Sequence, residues 1–100
     1  LPPLSGFPTM NNARRKQLDD LRQRISALKD QADELKDELE SGPLSDEQDA
    51  FDNMPESLQD GEKGEKAQAA LDAMQEAVDA LDEVMSALDE AATALETAAE

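Results

Sequence analysis

The chain contains no cysteine, no histidine, no tryptophan and no tyrosine. Without cysteine there is no disulfide, no thiolate nucleophile and no zinc–thiolate site, and nothing hints at an oxidising compartment. Without histidine the commonest general base is missing too, so an enzyme is not expected. Phe7 and Phe51 are the only aromatic residues among 100. Any core must come from Leu, Ile, Val, Met and Ala, the composition of helical bundles and coiled coils. No apolar run approaches the roughly 20 residues of a membrane span, and no signal-peptide pattern appears. A cytoplasmic chain of one small domain is expected, with no membrane partner.

Positive charge is scarce and runs out along the chain. Nine Lys and Arg face 25 Asp and Glu, for a net charge of −16. Residues 1–40 carry seven basic and eight acidic side chains, residues 41–66 two and eight, and residues 67–100 none and nine. Such a surface repels nucleic-acid phosphates and anionic lipid, so direct nucleic-acid binding is not expected.

The opening LPPLSGFPT holds three prolines and a glycine and is no helix interior. Residues 1–10 read as a flexible arm, or residues 1–9 as an added peptide ahead of Met10 as the natural start. From Asn11 or Asn12, a plausible N-cap, the helical signal is strong. Leu18, Leu21, Ile25, Leu28, Ala32, Leu35 and Leu39 alternate spacings of three and four, an a/d heptad seam. This predicts helix one over residues 11–40, about 45 Å long at 1.5 Å per residue. Ser41-Gly42-Pro43 is expected to end it, a C-cap glycine followed by proline.

Residues 41–61 read as a connector with a short helix. Ser45 and Gln48 fit a capping box, Pro55 should end the helix, and Leu44, Phe51, Met54 and Leu58 give it one apolar edge. Helix two is predicted over residues 62–100. Leu71, Met74, Val78, Leu81, Met85, Leu88, Ala92, Leu95 and Ala99 form its a/d seam. Beside that seam run Ala70, Ala73, Ala77, Ala80, Val84, Ala87, Ala91, Ala94 and Ala98 at positions g and c. The two tracks together span about 160° of the helix surface, wider than the seam of a two-stranded coiled coil.

The expected fold is all-α: an antiparallel, coiled-coil-like helical hairpin with a short helical insertion between its long helices. Its expected core is Leu18, Leu21, Ile25, Leu28, Leu35 and Leu39 against Leu71, Met74, Val78, Leu81, Met85, Leu88 and Leu95. The charges give an independent argument for this pairing. Arg15, Arg22, Lys29 and Lys36 occupy successive e positions of helix one; Gln75, Asp82, Asp89 and Glu96 occupy those of helix two. In an antiparallel pair e faces e, and one register joins Lys36 to Gln75, Lys29 to Asp82, Arg22 to Asp89 and Arg15 to Glu96. Nearly the same register stacks Leu39 on Met74, Ile25 on Leu88 and Leu18 on Leu95.

The alanine seam is left over, and Ala73, Ala77, Ala80, Val84, Ala87, Ala91 and Ala94 become candidate interface residues. Three covers suggest themselves: Phe51, Met54 and Leu58 of the connector, a second copy in a two-fold four-helix bundle, or a helix of another protein. Metal, cofactor and catalytic sites are not expected. Carboxylate pairs such as Asp79 and Glu83 read as a solvated helix face. The DGEKGEK stretch lacks the G-K-[ST] ending of a phosphate loop, and its acids would repel phosphate.

The stretch FDNMPESLQDGEKGEKAQAALDAMQEAVDALDEVMSAL, residues 51–88, resembles small acidic coiled-coil proteins of bacteriophages and integrated mobile elements. Their pattern is an F-D-N-x-P-E-x-L-Q segment, an E-x-G-E helix start and repeated A-hydrophobic-D-x-L-E-x-A units. The distinctive part is Phe51 to Glu65. The resemblance implies a bacterial or phage-infected cytoplasm and no reaction. The expected function is a non-enzymatic interaction or structural protein that self-associates, as a dimer, or docks on a partner helix through the alanine seam. The alternative is an acidic decoy that mimics nucleic acid and blocks a nucleic-acid-binding host protein.

Overall fold

The computed structural model describes residues 11–100, which are mostly helical with no strand among them. The arm over residues 1–10 lies outside the described residues. Helix α1 spans Asn12–Leu39, and a π-helical turn, Glu40–Leu44, leads without a break into α2, Ser45–Asp52. A single turn, α3, covers Glu56–Gln59, and α4 runs Glu62–Ala98.

The N-terminus of α1 is built as its sequence suggests. Asn11 Oδ1 accepts a hydrogen bond from Arg14 N–H at 2.8 Å, satisfying one of the donors left over at a helix start. The other end differs from expectation. Ser41-Gly42-Pro43 does not stop the helix. No described glycine takes a positive φ, so Gly42 is not a left-handed cap. Proline cannot donate to the ladder and crowds the carbonyl four residues back. The chain answers by widening into the i→i+5 register across Glu40–Leu44. Ser41 Oγ donates to Asp37 carbonyl oxygen at 2.7 Å, taking up one carbonyl of the disturbed turn.

The predicted capping box at Ser45 is therefore absent. Ser45 lies inside continuing helix, Leu44 before it is helical, and no side chain caps α2. Gln48 Nε2 instead donates to Asp52 Oδ1 at 2.9 Å. Asn53 and Met54 close the helix before Pro55, whose extended ψ of 147° starts α3. The connector expected at residues 41–61 thus shrinks to residues 53–61.

The described residues divide into two compact units, one of residues 11–31 with 84–100, the other of residues 32–83. Among the described residues, the buried apolar side chains Ala32, Ala67, Leu71 and Val78 all lie in the second unit. Gly64 is buried with them. It meets the backbone of Gln59 so closely that a Cβ there would overlap the Gln59 carbonyl. Gln59 Nε2 donates to Phe51 carbonyl oxygen at 2.9 Å, fastening α3 to the last turn of α2 at a carbonyl that also accepts from Met54 N–H. Gly64 and Ala67 lie three and four residues before the next seam member and extend the α4 seam toward its N-terminus. Small residues there let α3 sit tight against the helix.

Candidate functional site

The charged rows come first, because they orient the helix faces. In the second unit, Lys36 Nζ meets Asp82 Oδ1 at 2.7 Å. In the first, Lys29 Nζ meets both oxygens of Asp89 at 2.7 and 2.8 Å, and Arg22 meets Glu96 at 3.7 Å. Arg15 Nε donates to Ala99 carbonyl oxygen at 3.0 Å, adding a cationic partner at the α4 C-terminus.

The predicted rows thus contain the right residues, one heptad out of register. Lys36 was expected on Gln75, Lys29 on Asp82, Arg22 on Asp89 and Arg15 on Glu96. Each basic residue instead reaches past its expected partner toward the C-terminus of α4, three of them by seven residues. A heptad repeat maps onto itself after seven positions, so a shifted pairing keeps like layers opposed. The observed shift exchanges neutral Gln75 for a carboxylate opposite Lys36.

The hydrogen bond to Asp82 raises the Lys36 pKa above its ordinary value of 10.5. Slight desolvation opposes this, while the charges of Asp82, Glu40 and Asp33 add to it.

The apolar rows fall into two groups. Along α4 the a/d seam is covered throughout: Leu71 and Val78 are buried, and Met74, Leu81, Met85, Leu88, Ala92, Leu95 and Ala99 are half-buried. On α1, Leu18, Ile25 and Leu39 are half-buried, as the expected core requires. Leu21, Leu28 and Leu35 are not core residues: they are 41, 53 and 56% exposed. The four basic e residues take their place, each half-buried. The inward edge of α1 is thus a and e rather than a and d, because long aliphatic stems cover apolar surface while their heads reach the acids of α4.

Of the alanine row, Ala70 alone is half-buried. Ala73, Ala77, Ala80, Val84, Ala87, Ala91 and Ala94 are all exposed, as is Ala98. Phe51 and Met54 are half-buried and Leu58 exposed, so nothing from the connector shelters the row past Ala70. The leucine row of α1 is the part that sequence reasoning missed, since an a/d pattern names d as core by default.

Among the described residues no group of three His, Cys, Asp or Glu side chains could hold a metal ion. None of their side-chain polar atoms is buried without a partner. A depression between Asp19, Arg22, Gln23, Ser26 and Ala92 is open to solvent. No described helix is long and apolar enough to cross a membrane. Comparison with protein-family models, curated proteins and solved structures finds no match.

Proposed function

We propose that the chain is a non-enzymatic helical interaction protein, an antiparallel hairpin of α1 and α4 that docks through the alanine-rich seam of α4. The hairpin reading is supported by the order of the ion pairs: partners descend along α4 from Glu96 to Asp89 to Asp82 as Arg22, Lys29 and Lys36 ascend along α1. The observation that carries the function is the contrast between the two tracks of α4. One is covered along its whole length; the other stays open from Ala73 to Ala98. Regularly spaced small side chains allow a helix backbone to approach closely, and scattered surface alanines would not need to keep that spacing.

The test is an Ala80→Glu/Ala87→Glu double variant. Both positions are exposed, so the isolated chain should keep the parent's helicity. Light scattering and capture of partners from bacterial lysate should both show loss of association. Unchanged association would remove the seam from the account. Capture of a nucleic-acid-binding protein that fades steeply with added salt would favour the decoy instead.

A further inference from the structure

We infer that the exposed leucine row of α1 in the first unit is half of a two-fold interface: Leu21 and Leu28 of one copy dock on the Ala87–Ala98 stretch of α4 in a second copy. The inference rests on the hairpin reading above and names the occupant that reading leaves open. It begins from an apolar face that α4 of the same chain does not cover. Leu21 and Leu28 stand one heptad apart, 41 and 53% exposed, though their a-position neighbours Leu18 and Ile25 are half-buried.

Charge selects the occupant. In this unit residues 12–31 carry six basic and three acidic side chains, and residues 84–100 carry four acidic and no basic ones. Packing α4 on a second α4, or α1 on a second α1, sets like charge beside like. Packing α1 of each copy on α4 of the other sets opposite charges together twice. Arg24 lies on the outer edge of the leucine row, and Glu90 borders the alanine row. Both are exposed, and neither joins the cross-helix pairs.

Size and level agree with charge. Leu28 precedes Lys29, whose partner is Asp89, so it stands level with Glu90, between Ala87 and Ala91. Leu21 precedes Arg22, whose partner is Glu96, so it stands level with Thr97, between Ala94 and Ala98. A two-fold axis parallel to the helices preserves level from one copy to the next. Each leucine of one copy then meets a gap between two alanines of the other, a large side chain on small ones.

The cysteine-free chain makes the arrangement directly readable. Leu28→Cys and Ala91→Cys chains, mixed and gently oxidised, should give a covalent dimer on a denaturing gel, with far less from either variant alone. Sedimentation equilibrium of the intact chain should show a dimer, and Leu21→Gln/Leu28→Gln should weaken it by about a hundredfold or more while the monomer keeps its helicity. Cross-linking by Ala91→Cys alone would overturn this pairing, though the seam would still associate. A monomer at all concentrations would overturn the dimer, and the Ala80→Glu/Ala87→Glu capture experiment would then judge the seam separately.

Discussion

The carbonyl of Gln59 occupies the space that a Cβ on Gly64 would need. Alanine is normally the better helix former by about 1 kcal/mol. Here the added methyl meets backbone, which cannot swing aside as a side-chain tip would. Gly64→Ala should therefore destabilise by about 1–3 kcal/mol in a urea melt. Gly61→Ala is the comparison: its Cβ would find ordinary contacts of 3.5 and 3.7 Å, and the loss should stay below about 1 kcal/mol. Equal losses at both positions would mean that Gln59 does not press on Gly64.

Removing the N-cap should loosen α1 from its start. Asn11→Ala deprives Arg14 N–H of its acceptor and should cost about 0.5–1 kcal/mol, with faster amide exchange over the first turn. Unchanged exchange at Arg14 would contradict the cap.

How much of this was written in the residue pattern depends on what each signal reports. Asn11, Pro55 and the Glu62 helix start act locally, through side-chain chemistry and ring geometry, and they were legible. So was the α4 seam, where apolar residues at every a/d position leave one choice of inward face. The continuation past Pro43 was not legible. A proline normally ends a helix, and the wider turn that admits it has no side-chain signature. Nor was the register, because Asp82 and Asp89 are equivalent under a shift of one heptad. The exposure of Leu21, Leu28 and Leu35 depends on how far α1 turns about its axis. Arg22 and Lys29 decide that by seeking Glu96 and Asp89 respectively, a relation between distant residues.

Alkaline titration should release the Lys36–Asp82 contact. A folded-state pKa raised above the unfolded value stabilises the fold fully below the unfolded pKa and loses that contribution as pH rises through the folded pKa. The melting-temperature difference between the parent and Asp82→Asn should hold steady from neutral pH to about pH 9. It should close as pH climbs beyond 10.5. A difference that persists into strong alkali would assign it to something other than the Lys36 charge.

Added salt should stabilise the chain. The few cross-helix ion pairs are weakened by screening, but a net charge of −16 is relieved by it. The melting temperature should rise by a few degrees between about 10 mM and 300 mM sodium chloride, where the Debye length falls below about 10 Å. A fall would show that the ion pairs outweigh the self-repulsion.

The proposed fold-back of α1 on α4 in one register underlies both the open seam and the proposed dimer face. Double-mutant cycles at low protein concentration read that register directly. Lys29 and Asp89 should couple by about 0.2–1 kcal/mol, whereas Lys29 and Asp82 should show no coupling beyond error. Coupling of Lys29 to Asp82 in place of Asp89, or to neither, would contradict the arrangement.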